Sequence, residues 1–223
     1  ISGGAGTDTI TPGAGVDITS SGAGADILII TDANNVDTIV LDDDAIGTAQ
    51  YAIGSVAADE VTAGFVMGAN LDVVQIDLSA ITAITGVIRF MLAGNANVLV
   101  TEGAGIVLAG AATATNASAA ATANFLEVSA GNVISSDLEV FLEIGGGRAI
   151  TSNAASTGIV NGDAFLVISD NGVDSALFLI IHTANLADNT APAANTLMAV
   201  KLMTFIGVTG SEVAHDTNFA FID

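Results

Sequence analysis

Three segments near the start of the chain keep strict step: Gly4-Ala5-Gly6-Thr7-Asp8, Gly13-Ala14-Gly15-Val16-Asp17 and Gly22-Ala23-Gly24-Ala25-Asp26. Their glycines and aspartates recur every nine residues, and a fixed short period means one local structure laid down repeatedly. Two residue types hold the phase, and each restricts the fold. Glycine lets the backbone turn tightly with φ > 0 and aim its carbonyls inward. Aspartate adds a hard, charged oxygen, and carbonyl plus carboxylate oxygens are what Ca²⁺ takes, about six to eight at a time. A flexible glycine-rich linker has no reason to hold three aspartates in phase. A phosphate-cradling loop needs a Gly-Lys-Ser/Thr that does not follow.

The pattern resembles the nonapeptide of the repeats-in-toxin (RTX) family of secreted bacterial proteins, Gly-Gly-x-Gly-x-Asp-x-(large apolar)-x. The resemblance implies a calcium-binding parallel β-roll in which one coil takes two nonapeptides. Turns on the same edge then lie eighteen residues apart, and Asp8 and Asp26 face each other across one ion, with carbonyls from Gly4, Gly6, Gly22 and Gly24. Gly13, Gly15 and Asp17 lie on the opposite edge, where the residue eighteen past Asp17 is Asn35. The match has departures. Pro12 and Ser21 stand where the first glycine belongs, and Thr19 replaces the apolar residue that Ile10 and Leu28 supply. Asn34-Asn35-Val36-Asp37-Thr38-Ile39 reads like a fourth repeat slipped by two residues.

Composition narrows the function classes. Twenty-four acidic residues against three basic ones give a formal net charge of −21. Binding nucleic acid, or an anionic membrane by charge, needs Lys and Arg. Such charge also strains the fold by self-repulsion, and divalent cations relieve it. With no cysteine, disulfides and thiolate metal sites are excluded. Apolar residues make up 51% but aromatics only 4%, which suits thin, closely stacked β layers. No apolar run reaches the ~18 residues of a membrane-spanning helix. No signal peptide is visible, and because Ile1 lies inside a repeat, the chain reads as part of something longer, whose upstream repeats complete the second calcium edge.

The expected class is therefore all-β: an N-terminal calcium-binding parallel β-roll over residues 1–45, a β-rich region over 46–115 continuing as a β-solenoid or β-sandwich-like part, and a C-terminal β domain over 116–223. Strands are expected at Ile27–Ile30, Val36–Leu41, Val61–Met67, Leu71–Leu78, Gly86–Leu92, Val98–Thr101, Phe125–Val128, Leu138–Ile144, Phe165–Ser169 and Ser175–His182. Asp42-Asp43-Asp44 and Gly145-Gly146-Gly147 read as turns. Residues 109–124, almost all small, read as a boundary or a thin solenoid wall. Asp170-Asn171-Gly172-Val173-Asp174 carries an Asn-Gly hairpin signal, with a calcium-holding turn as the alternative. Thr196–Ile206 fits neither the helical nor the strand period cleanly, and Gly207 ends it.

Two further stretches extend the resemblance. Asp72-Val73-Val74-Gln75-Ile76-Asp77-Leu78-Ser79 is similar to the strand that follows many RTX repeats. Residues 162–223 resemble the closing domain of RTX and related surface-layer proteins, and Asn218-Phe219-Ala220-Phe221-Ile222-Asp223 is similar to a type I secretion signal.

Catalytic chemistry has no foothold. His182 and His215 are far apart and neither begins a His-Glu-x-x-His helix. No Gly-x-Ser-x-Gly elbow occurs. Asp59/Glu60 and Glu139/Glu143 lack the aromatic platforms of a sugar site. The expectation is a non-enzymatic, calcium-binding structural protein, secreted to the bacterial cell surface or beyond, that self-assembles as a surface-layer (S-layer) or filament subunit. Any anchoring to cell-surface polysaccharide would use another region. The alternative is a calcium-stabilised export and binding module of a larger adhesin or secreted enzyme.

Overall fold

The computed structural model describes residues 1–31, 35–42, 59–62, 65–66, 72–77, 89–90, 108–111, 125–128, 163–170, 173–182, 197–208 and 218–222. Among these residues the chain is strand and turn, with fourteen strands in two sheets. The first strands are short and alternate with glycine-aspartate turns: β1 (Ser2–Ala5), β2 (Thr9–Ile10), β3 (Ile18–Ala23), β4 (Ile27–Ile29) and β5 (Thr38–Leu41). Then come β6 (Asp59–Thr62), β7 (Val73–Asp77), β8 (Arg89–Phe90), β9 (Leu108–Ala111) and β10 (Phe125–Val128). The longer β11 (Asp163–Asp170), β12 (Ser175–His182) and β13 (Leu197–Ile206) precede the closing β14 (Phe219–Ile222).

The chain passes back and forth between the sheets. The odd strands β1, β3, β5 and β7 pair side by side, all parallel, and β14 joins them beside β7. The even strands β2, β4 and β6 pair in parallel in the second sheet, which continues through β13. There the direction changes: β13, β12 and β11 are antiparallel neighbours, and β8, β9 and β10 extend the sheet in parallel pairs. Each sheet thus draws strands from all three segments expected from the sequence.

Register follows the repeat. Ser2, Gly4 and Ala5 lie beside Ser20, Gly22 and Ala23, and Thr9 and Ile10 beside Ile27 and Leu28, a step of eighteen in every case. Strand alternation puts every second side chain inward. In β3, β5 and β7 the buried positions are Thr19 and Ser21, Ile39 and Leu41, and Val74 and Ile76. Ile10 and Leu28 are buried in the second sheet, and a Cβ on Gly3 would come within 2.9 Å of Ile10 Cδ1. The two sheets therefore close on each other through these side chains. Thr19 takes the inward place beside Ile39, so the departure from the apolar pattern is accommodated as a buried threonine.

A larger core lies farther along. Phe65 and Phe205 pack with ring centroids 4.8 Å apart, both buried, and Leu202 and Met203 of β13 and Leu177 and Leu179 of β12 are buried as well. Leu177, Phe178 and Leu179 are buried in succession, at a register shift between Leu177 and Phe178. Phe219 of β14 is buried beside Val74. Residues 197–206 form a strand, because both neighbours, β12 and β6, supply a ladder for them. Gly207 follows with φ 73° and turns the chain. The expected strands at Val98–Thr101 and Leu138–Ile144 lie outside the described residues. So do most of 109–124, Asp43-Asp44, Gly145-Gly146-Gly147, Asn171-Gly172, Glu139, Glu143 and His215.

Candidate metal centre

The turns between β1 and β2 and between β3 and β4 stack on one edge. Gly4, Gly6, Gly22 and Gly24 all have left-handed φ, at 101°, 122°, 87° and 145°. This conformation is open to glycine and strained for other residues. Contact decides a second requirement. A Cβ at Gly22 would run into the Gly4 backbone, and one at Gly24 into the Gly6 carbonyl. The two layers therefore approach at backbone contact, and the steric requirement falls on Gly22 and Gly24, since a Cβ on Gly4 or Gly6 would meet nothing within 4 Å. The Gly6 N–H donates to the Ala23 carbonyl over 2.8 Å, and the Ile27 N–H to the Asp8 carbonyl over 2.9 Å.

The two aspartates of this edge are one step apart and directly linked. The Asp8 N–H donates to Asp26 Oδ1 over 2.7 Å. Asp26 is buried, and its second oxygen, Oδ2, accepts no hydrogen bond. Gly3 has its own spatial reason: a Cβ there would meet the Ser21 carbonyl and lie 3.2 Å from Asp8 Oδ2. The oxygens that this edge could offer are glycine backbone carbonyls and the carboxylates of Asp8 and Asp26. All are hard oxygens, the chemistry that Ca²⁺ takes and that thiolate- or imidazole-seeking metals do not favour. These residues fit a calcium ion in kind.

The opposite edge is built differently. Gly13 and Gly15 have φ of 109° and 123°, and Asp17 leads into β3. The partner of Asp17 is Asp37, twenty residues on, rather than Asn35: the Asp17 N–H donates to Asp37 Oδ1 over 2.9 Å. The slip of two residues in the fourth repeat is the reason, and Ile18 correspondingly lies beside Thr38. Eighteen residues past Gly13 stands Thr31, whose hydroxyl donates to the Gly13 carbonyl over 3.0 Å.

The aspartate pattern continues where the glycines stop. Asp37 donates its N–H to Asp72 Oδ1 over 2.9 Å, although the two are thirty-five residues apart. Asp72 Oδ2 accepts the Val66 N–H over 2.8 Å, and the Asn218 side-chain amide donates to the Asp72 carbonyl over 2.7 Å. Main-chain bonds run alongside, from Thr38 N–H to the Asp17 carbonyl and from Val73 N–H to the Asp37 carbonyl, each 2.8 Å. Asp37, Asp72 and Asn218 are all buried. Burying a carboxylate is costly unless donors surround it, and here backbone N–H groups do so. Sequence reasoning assigned Asp72 only to a strand. The available signal is an aspartate placed just before paired β-branched or apolar residues: Asp17-Ile18-Thr19, Asp26-Ile27-Leu28, Asp37-Thr38-Ile39 and Asp72-Val73-Val74.

Other acidic groups have structural partners. Ser20 donates its hydroxyl to both oxygens of Asp42, each at 2.8 Å. Asp174 Oδ1 accepts the Gly207 N–H over 2.8 Å, which fixes the end of β13 against the start of β12. Among the described residues no three His, Cys, Asp or Glu side chains gather as a metal cluster, so an ion on the first edge would rely on glycine carbonyls besides its two carboxylates. Among the described residues no helix is long and apolar enough to cross a membrane. The chain matches no family model, no curated protein and no solved structure.

Proposed function

We propose that the alternating sheets form a calcium-binding parallel β-roll, and that the chain is a secreted structural protein which folds and self-assembles when calcium is present. The single observation that carries this reading is the stacking of Gly4-x-Gly6-x-Asp8 on Gly22-x-Gly24-x-Asp26 at backbone contact. In this reading each of the two repeats contributes two glycine carbonyls and one carboxylate. An ion there would be held by Gly4, Gly6, Asp8, Gly22, Gly24 and Asp26, neutralising charge that otherwise accumulates along the edge. Its chemistry is electrostatic and structural: it joins two turns that are adjacent in space and eighteen residues apart in sequence.

The charge of the whole chain supports the same reading. At −21, copies repel each other and divalent cations offset that repulsion. A ligand that binds the folded state stabilises it by an amount that grows with the logarithm of its free concentration above the dissociation constant. Low free calcium before export would leave the repeats loose, and the higher level outside the cell would order them. Assembly into an S-layer or filament then follows the same ion. The test is sedimentation velocity of the purified chain in calcium and in EGTA, with circular dichroism on the same samples. Ordered large particles and added β signal in calcium support the proposal. A monomer in both conditions contradicts the assembly part, and unchanged secondary structure contradicts the folding part.

A further inference from the structure

We infer that copies of this chain join by exchanging a strand: β14 of one copy takes the place beside β7 of the next, so the partner of this surface is a second copy of the same chain. This rests on the self-assembly reading above and names the contact that performs it. In the structure β14 lies at the end of the first sheet, parallel to β7, with Phe219 beside Val74 and Ala220 beside Gln75. It arrives there from the other sheet. Its predecessor β13 ends at Ile206 in the second sheet, and Gly207 turns the chain with φ 73°. β7 lies far back in the sequence: the Asn218 side chain, donating to the Asp72 carbonyl over 2.7 Å, bridges 146 positions. No hairpin joins β14 to β7, so their pairing is set by the strands themselves and not by a short connection.

The contact is a unit that a second copy can supply unchanged. The ladder fixes direction and register. Phe219 is buried at the end of the inward row that Thr19, Ile39 and Val74 form across the sheet. Asn218, also buried, adds its bond at the head of the strand. Association through the outer surface has less to work with. The described residues expose five large apolar side chains, Ile1, Val16, Ile18, Val36 and Val173, and copies carrying a charge of −21 repel. Exchange reuses a buried interface instead of building a new one on that surface, which is a low-cost route to association. The strand given and the edge that receives it are different surfaces. Passing β14 onward from copy to copy therefore builds an open chain, whereas a reciprocal swap closes a pair.

The test uses the full chain in calcium. With no cysteine present, each substitution gives a unique thiol. Gln75 and Ala220 stand in register on β7 and β14, both half-buried. The single variants Gln75→Cys and Ala220→Cys are mixed, refolded together from urea and treated with a short bismaleimide, and denaturing electrophoresis reads the linked species. The expected result is linked pairs well in excess of those from a mixture of Ser2→Cys with Ala220→Cys, Ser2 lying at the opposite end of the same sheet. The double variant Gln75→Cys/Ala220→Cys should likewise give linked multimers. Linking confined to single copies of the double variant, with no pairs in the mixture, overturns the inference. Pairs formed through Ser2 instead overturn it in favour of end-to-end stacking. Large particles without linked pairs leave the self-assembly reading standing and sink strand exchange. Linked pairs without large particles keep the exchange and sink the lattice or filament. Should Gln75→Cys not fold, Asp77→Cys with Ile222→Cys, also in register, carries the decision.

Discussion

The backbone N–H of Asp8 donates to Oδ1 of Asp26 over 2.7 Å, one eighteen-residue step away. The same relation links Asp17 to Asp37 and Asp37 to Asp72. In each case the aspartate stands just before a strand, where the chain leaves a turn and its N–H groups need acceptors. One carboxylate oxygen satisfies the neighbouring layer, and the strand that follows begins in register. The aspartates therefore set the stacking, besides any charge they offer to an ion.

Glycine positions should differ in cost according to what lies beside them. Gly13→Ala meets open space and pays for its left-handed φ alone, about 1–2 kcal/mol. Gly24→Ala pays that and also collides with the Gly6 carbonyl, adding about 1–3 kcal/mol. Urea unfolding of the two variants under one condition measures the difference. Equal losses would mean that the turns are not in backbone contact.

Asp72 should be the costliest of the polar positions to truncate. Asp72→Ala leaves the Asp37 and Val66 N–H groups without their acceptor, and each such loss costs about 1–3 kcal/mol. Ser20→Ala removes one part-buried hydroxyl donor from the Asp42 carboxylate, worth about 1.5–3 kcal/mol, against two acceptor losses at Asp72. Denaturant midpoints rank the two, and the reverse order would refute the role of Asp72 as acceptor for the Asp37 and Val66 N–H groups.

The packing of β13 predicts cooperativity across the chain. Phe205 is buried against Phe65, and its strand pairs with β6. Phe205→Ala should cost about 3–5 kcal/mol and shift one shared unfolding transition. Two separate transitions by fluorescence-independent probes, such as circular dichroism and calorimetry, would show that the C-terminal strands are not part of the same stack.

Much of the repeat region is legible in the sequence because its determinants are local. The period of nine gives the step of eighteen, the glycine positions give the turns, and Ile27–Ile29 and Ser175–His182 announce themselves by β-rich composition between turn signals. Other features depend on partners far away in sequence. Nothing near Asp72 reveals that Asp37 will lie beneath it, since the intervening segment has no fixed length. The apolar run 197–206 has no clean period of its own because β12 and β6 flank it. Phe219–Ile222 pairs with β7 in the first sheet, a neighbour that only the tertiary fold provides. Asp17 meets Asp37 instead of Asn35 because two extra residues lengthen one turn.

Ion identity gives a further prediction. Turns built from carbonyls and carboxylates suit the flexible, high coordination of Ca²⁺, whereas Mg²⁺ demands a near-octahedral shell and keeps its waters. Magnesium at the same concentration should therefore leave the circular dichroism and the unfolding midpoint close to their EGTA values. A response equal to that of calcium would reduce the ion's role to general screening of the −21 charge.

Calorimetric titration of calcium into the chelated chain, with Asp8→Asn and Asp26→Asn in parallel, tests the central claim most directly. A saturating heat that disappears in both variants is the predicted result, because both carboxylates belong to one edge. The same heat in all three proteins, or none in the unaltered chain, would contradict an ion held between the stacked turns.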